Sequence, residues 1–259
     1  MSPRNAAHPA ARYATPAGAS RQATARLLTA GIAAGPLFLT VCAAQALTRT
    51  GFDPSRHPLS LLSLGSLGWI QIANFAVTGA LYLAYAAGLR RALPAGRGAT
   101  WAPRLVAAIG TGLITAGVFL TDAGAGFPPG APAGKPDMSW HGALHELGFT
   151  IVLLSWTIAC WAFRRRFTAL RQPGWARACL ACLTAATVIG AWPDINSFSI
   201  RIVVATAVQF GFLAAVAVHL NRALPVRSAG ELSSDISADE PPAAGLAPIM
   251  PDQQTNQLI

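Results

Sequence analysis

Charge is the scarcest commodity in this chain. Asp, Glu, Lys and Arg make up 11% of its 259 residues, against about 25% in an ordinary soluble domain. Lysine is almost missing, since Lys135 is the only one among nineteen basic residues. Between residues 26 and 225 the acids are Asp53, Asp122, Asp137, Glu146 and Asp194. A typical cytosolic enzyme and a disordered chain are excluded on these grounds. Cysteine is absent from every polar segment. Cys42, Cys160, Cys179 and Cys182 all sit inside apolar runs, so no disulfide framework is present. There is no Walker loop, no GxGxxG strand–helix unit and no GxSxG elbow. The net charge of +9 comes from dispersed arginines without interleaved aromatics, which excludes nucleic acid as a partner.

Apolar residues are what the chain has: 53% of the total, with a mean hydropathy of +0.44. Six runs, at 27–48, 67–89, 103–121, 142–163, 174–192 and 199–220, are long enough to cross about 30 Å of hydrocarbon with about 20 residues each. The fifth is the shortest. The expected fold class is all-α integral membrane: a six-helix transmembrane bundle, both termini cytoplasmic, with disordered tails. Residues 1–25 read as an Ala/Pro/Arg-rich disordered tail, with a transit peptide as the minor alternative. Residues 26–225 form the membrane domain. Residues 226–259, rich in Ser, Pro, Asp and Glu, read as a second disordered tail. Ala44-Gln45-Ala46 mimics a cleavage site, but the first run exceeds a signal-peptide core, so an uncleaved helix is expected.

Arginine placement fixes the expected orientation. With the N-terminus inside, all but four of the nineteen basic residues fall on the cytoplasmic side; the exceptions are Arg49, Arg56, Lys135 and Arg201. This satisfies the positive-inside rule across every loop. Trp69, Trp101, Trp140, Trp161, Trp175 and Trp192 fall near span ends, as interfacial tryptophans do. The Ala/Arg/Gly-rich composition suggests a high-GC bacterium, and the bundle is expected in the bacterial inner membrane, with membrane lipids as the surrounding partner.

The polar residues of the membrane domain gather on the outer side: Asp53, Arg56, His57, Asp122, His141, His145, Glu146, Asp194 and Arg201. Ionisable groups at a membrane are costly and are candidates for function. His141 and His145, spaced i,i+4, share one helix face. Two such imidazoles can hold a zinc ion, or they can hydrogen-bond neighbouring helix ends. Glu146 points about 100° away from His145. Asp122 is placed either to act as a ligand or general base or to pair with Arg201 or Lys135. Ser60, Ser63 and Ser66 recur among leucines, suggesting a short helix lying in the interface. Gln71, Asn74 and Thr78 share one face of the second span and should bond across helices. Gly110, Gly112 and Gly117 fit close helix packing. Cys179 and Cys182 form a CxxC that reads as small packing residues.

Arg56, the stretch Leu59-Ser60-Leu61-Leu62-Ser63-Leu64-Gly65, and Asn74-Phe75 together resemble a motif of the prokaryotic six-helix membrane family catalogued as domain of unknown function 998. Gly117 to Asp122, Phe127-Pro128 and the histidine opening the fourth span are similar to the same family. The resemblance covers about residues 27–222. It implies a six-helix fold and no particular activity. A weaker likeness connects His57, His141, His145, Ser60 and Asp122 to zinc-dependent membrane hydrolases related to alkaline ceramidases and adiponectin receptors; helix count and motif order differ, which leaves a chemical analogy.

Two functional readings follow. In the first, the protein is a non-enzymatic binding, sensing or accessory protein, with a small molecule or lipid as ligand. In the second, zinc on His141, His145 and His57 activates a water, Asp122 or Glu146 is the base, and Ser60 orients the substrate, making a lipid or amide hydrolase. A transporter is disfavoured because no acid lies at mid-span.

Overall fold

The computed structural model describes residues 16–93, 95–134, 136–194 and 197–224. Six helices account for most of them: α1 (Pro16–Thr48), α2 (Gly68–Ala92), α3 (Trp101–Val118), α4 (Trp140–Ala169), α5 (Pro173–Ala191) and α6 (Phe198–Arg222). No β-strand occurs among the described residues. All six helices are long and apolar enough to cross a membrane, so the chain is a multi-pass membrane protein. Five of the six helices start within two residues of the apolar runs, and α4 continues to Ala169, past the expected end at 163.

The exception is α1, which begins at Pro16, well before residue 27. Residues 16–25, expected to belong to a tail, continue the helix. Proline suits the first helical position, where its missing N–H costs nothing, and the Ala/Gln/Arg residues that follow favour helix. Residues 1–15 and 225–259, which hold the remainder of the expected tails, lie outside the described residues.

Each helix packs on its neighbours in sequence, and α6 returns to α1, closing a ring. Short loops and alternating direction produce this arrangement. Glycine sets the closest approaches. A Cβ on Gly79 of α2 would meet the Gly110 carbonyl of α3 at 2.6 Å, and the reverse substitution meets the Gly79 carbonyl at the same distance. Gly112 of α3 and Gly148 of α4 are related in the same reciprocal way, each at 2.7 Å from the other's carbonyl. Small residues are what allow backbones to touch where lipid gives no hydrophobic drive to association.

The ring is filled by aromatic side chains. Trp156 of α4 donates its indole N–H to the Gln209 carbonyl of α6 at 3.2 Å. Tyr85 of α2 donates its hydroxyl to the Leu213 carbonyl of α6 at 3.3 Å. Phe38, Phe75 and Phe210 stack between α1, α2 and α6. The outward faces carry Val77, Leu83, Leu153, Leu154, Ile158 and Val204, the inversion expected when the solvent is lipid. Trp69, Trp140 and Trp192 are exposed at one end of the bundle, and Trp101 and Trp161 at the other.

The two ends differ. At one, Arg90, Arg91, Arg164, Arg165 and Arg222 close α2, α4 and α6, where cations complement the helix dipole. At the other, the segments 49–67 and 119–139 fold together into a cap.

Candidate functional site

The cap has its own small core: Phe52, Leu61, Leu62 and Phe127 are buried together. Phe127 stacks edge-on against Phe52 at 5.3 Å. A short 3-10 helix, Leu59–Ser63, carries the leucines inward. The serine-spaced segment is thus part of the cap, with Leu61, Leu62 and Ser63 buried. Arg49 braces it: its guanidinium donates to the Leu62 carbonyl at 3.0 Å and the Leu64 carbonyl at 2.5 Å and lies over the Phe127 ring at 5.5 Å. Partial burial lowers the Arg49 pKa from its ordinary value. Gly65, at φ +75°, turns the chain where a Cβ would come within 3.3 Å of that guanidinium.

His57 is buried between Phe52 and Phe127. Its Nδ1 accepts the Asp53 backbone N–H at 2.9 Å, and its Nε2–H donates to the Ala125 carbonyl at 3.0 Å. Both ring nitrogens are thus used in joining the two cap segments, and no lone pair is left for a metal. Asp53 accepts both the hydroxyl and the amide of Ser55, and these bonds, the hydroxyl first, lower its pKa below the usual carboxylate range.

His141 and His145 face the end of α3. The His145 Nδ1–H lies 2.9 Å from the Ala116 carbonyl and 3.0 Å from the Phe119 carbonyl. The His141 Nδ1–H donates to the Leu120 carbonyl at 3.0 Å. Ala116 lies in the last turn of α3 and Phe119 and Leu120 follow its end directly, where no intrahelical donor remains. Neither Nε2 has a hydrogen-bond partner among the described residues.

Asp122 sits at the start of α4. Its Oδ1 accepts the Ser139 hydroxyl at 2.6 Å and its Oδ2 accepts the Ser139 backbone N–H at 2.9 Å. Ser139 in turn caps α4, accepting the Gly142 N–H at 3.0 Å. The carboxylate packs directly over Gly142, leaving no room for a Cβ there. The Ser139 hydroxyl is the main reason that the Asp122 pKa falls below the ordinary value, and burial opposes it. The expected pairing of Asp122 with Arg201 is not made; the nearest ionisable partner is His141, 3.8 Å away. Lys135 lies outside the described residues.

Arg201 serves a different helix end. It donates to the Ile189 and Gly190 carbonyls of α5 at 3.2 and 3.1 Å, and also to the Trp192 and Asp194 carbonyls. The Ser197 hydroxyl donates to the Asp194 carboxylate at 2.7 Å and accepts from Arg201 Nε at 3.0 Å.

Below the cap, Gln71 and Asn74 are buried between α1 and α2. Gln71 Oε1 accepts from Gln45 Nε2 at 2.8 Å and Asn74 Nδ2 at 3.3 Å, and Asn74 Nδ2 also donates to the Phe38 carbonyl at 3.1 Å. Gln71 and Asn74 thus bond across helices, while Thr78 donates to Asn74 within α2 at 3.5 Å. The buried Gln45 was not foreseen, nor was Arg49; an arginine placed directly where an apolar run ends is the signal that marks the latter.

Ser60, Arg56 and Glu146 stand apart. Ser60 is half-buried and offers its carbonyl to Ser63. Arg56 and Glu146 are exposed. Among the described residues no three His, Cys, Asp or Glu side chains are grouped to hold a metal ion. His57, His141 and His145 are not brought to a common point, because each is turned toward a backbone carbonyl of its own.

The scattered motif residues nevertheless meet. A Cβ on Gly65 would lie 3.7 Å from Pro128, and one on Gly117 would lie 2.9 Å from the Phe75 Cβ. The Phe75 ring stands edge-on to His145 at 6.0 Å. The family model described as "Protein of unknown function (DUF998)" matches residues 32–219. The chain belongs to that family. No curated protein and no solved structure matches it. The DUF998 match starts within α1 and stops within α6, taking in the cap and all six helices.

Proposed function

We propose that this DUF998 protein is a non-enzymatic binding or accessory component of the bacterial inner membrane, with its cap outside and both termini in the cytoplasm. One observation carries the reading. The polar cap groups with hydrogen bonds are occupied by helix ends and loop amides: His57 by Asp53 and Ala125, His145 by Ala116 and Phe119, Asp122 by Ser139, and Arg201 by the end of α5. A reaction centre needs a nucleophile or base left free to meet substrate. These groups instead form a braced platform, suited to present a fixed surface. The arginine bias supports the orientation. A small molecule, a lipid or another membrane protein fits such a surface.

A second reading is kept alive by one feature. His141 and His145 both use Nδ1 on backbone carbonyls and leave Nε2 open, the way zinc-ligating histidines are oriented. A zinc-dependent hydrolase would require Asp122 or Glu146 as base and Ser60 as an orienting group. Glu146 is exposed and Asp122 is held by Ser139, which weighs against it.

The test is a hydrolysis screen of the detergent-purified protein, loaded with zinc, against ester- and amide-linked lipids. The proposal expects no turnover above that of His141→Ala. Turnover abolished by His141→Ala without loss of folding would overturn it. Cysteine labelling from either side of sealed vesicles at position 130 and position 97 reads the orientation, and labelling of 130 from the cytoplasmic side would reverse it.

A further inference from the structure

Gln71, Asn74, Thr78 and Tyr82 of α2 recur at spacings of three and four and share one face of the helix. All four are buried. The row runs from below the cap to mid-span, about 16 Å at a rise of about 1.5 Å per residue. Its hydrogen bonds have a fixed direction. The Phe38 carbonyl can only accept, so the Asn74 atom 3.1 Å from it is Nδ2, a donor. That Nδ2 lies 3.3 Å from Gln71, whose atom there must be the acceptor Oε1. The Gln45 atom 2.8 Å from Gln71 Oε1 also lies 3.4 Å from the Val41 carbonyl, and between two acceptors it is Nε2. Gln45 Oε1 is left over, a buried acceptor without a partner among the described residues.

The other end of the row is left open in the same way. The Tyr82 hydroxyl is fully buried and has no partner among the described residues. Long helical side chains lean over the preceding turn, which brings Tyr82 toward Thr78. The Thr78 hydroxyl reaches Asn74 Oδ1 only at 3.5 Å, long for an O–H donor, whose usual distance is about 2.7–2.8 Å. Two hydroxyls on adjacent turns are thus under-satisfied together. Rings enclose them: Tyr82 meets Phe210 of α6 at 5.2 Å, and Phe210 meets Phe38 of α1 at 5.4 Å. Tyr85 is the contrast. It is equally buried, but its hydroxyl is engaged by the Leu213 carbonyl. Beyond it, toward the arginine-rich end, Leu28, Leu89 and Val106 are fully buried and close the interior with apolar side chains.

A polar atom without a partner is expensive in a membrane interior, and internal water is the usual partner of such atoms. The row contains no charged side chain, which disfavours an ion. We propose that the seam between α1, α2 and α6 binds ordered water, one molecule joining the Thr78 and Tyr82 hydroxyls at mid-span and one donating to Gln45 Oε1 below the cap. The interior is thereby hydrated to mid-membrane from the cap side and dry toward the arginine-rich end. This goes beyond the reading of the cap and does not depend on it.

The experiment is X-ray footprinting of the full chain in lipid nanodiscs. Radiolysis turns bound water into hydroxyl radicals where it sits, and mass spectrometry locates the oxidised side chains. Tyr82 and Tyr85 lie on one helix and are both 0% exposed, so the wild type supplies its own control and no variant has to fold. Expected is oxidation of Tyr82 several-fold faster than that of Tyr85. Cys42, which contacts Gln71 and Asn74, should likewise be oxidised several-fold faster than the equally buried Cys160. Thr78→Val keeps the side-chain shape, removes one hydroxyl and should bring Tyr82 down to the rate of Tyr85. Tyr82→Phe should lower the thermal unfolding midpoint, because it breaks a water bridge; removal of a bare buried hydroxyl would raise it. Equal oxidation of the two tyrosines, whether slow or fast, or a raised midpoint in Tyr82→Phe, would overturn the mid-span water. Oxidation of Cys42 no faster than that of Cys160 would overturn the one at Gln45.

Discussion

The His145 imidazole of α4 and the Ala116 carbonyl of α3 are joined by a 2.9 Å hydrogen bond, so a side chain of one helix completes the backbone of the next. The same principle recurs at the cap. His141 serves Leu120, Arg201 serves the last turn of α5, and Arg49 serves the end of the 3-10 helix. Helix ends leave carbonyls without partners, and an unsatisfied carbonyl near hydrocarbon costs several kcal/mol. Polar side chains placed there stabilise the bundle.

His145→Ala should therefore destabilise the protein by about 1–3 kcal/mol, the cost of a buried polar group left without its partner. His141 is less enclosed, with 43% of its side chain exposed, and His141→Ala should cost clearly less. Unfolding in mixed micelles by a graded denaturing detergent checks the order. Equal losses would count against this assignment.

Asp122 confers a pH dependence of defined sign. Its pKa is lowered in the folded protein, chiefly by the Ser139 hydroxyl. Its contribution is fully present above the unfolded carboxyl value of about 3.9 and is lost as pH falls through the folded value. Wild type should lose stability on acidification below that value, and Asp122→Asn should lose less over the same interval. Parallel acid titrations of the two proteins, read by thermal unfolding, compare them directly.

Gly142 and Asp122 should behave as one unit. A side chain at 142 displaces the carboxylate that packs over it, so Gly142→Ala and Asp122→Ala remove the same interaction with Ser139. The double variant should be little worse than the worse single one, where independent sites would add. A double-mutant cycle on unfolding free energy measures this.

Close packing of α2 on α3 depends on two glycines. Gly110→Val brings a branched side chain against the Gly79 carbonyl and Leu83 and should cost more than about 2 kcal/mol or abolish accumulation in the membrane. Gly174→Ala, where open space surrounds the site, should be tolerated. Expression level and monodispersity of the two variants report the contrast.

Most of the fold was legible because lipid imposes length and apolarity on every span, and arginine marks one end of each. The start of α1 was not, since its first turns leave the apolar run and read compositionally as tail. The cap was legible as a list of polar residues but not as a geometry. His141 and His145 have the spacing of a metal pair, yet the same spacing lets two imidazoles reach successive carbonyls of a neighbouring helix end. Periodicity fixes the face a residue occupies and says nothing of what stands opposite. Arg56, singled out beside the serine-spaced leucines, is exposed, while Arg49 makes the brace, because the turn at 50–52 folds the end of α1 over the cap. Gln71 and Asn74 were readable because polar side chains in a span must face protein.

The claim that the cap closes helix ends and holds no metal is tested most directly by elemental analysis. Wild type, His141→Ala and His145→Ala are purified in detergent after growth with added zinc, and zinc per chain is measured. The account predicts far less than one zinc per chain in all three, with both variants less stable than wild type. Near-stoichiometric zinc in wild type, lost in both variants, would contradict it.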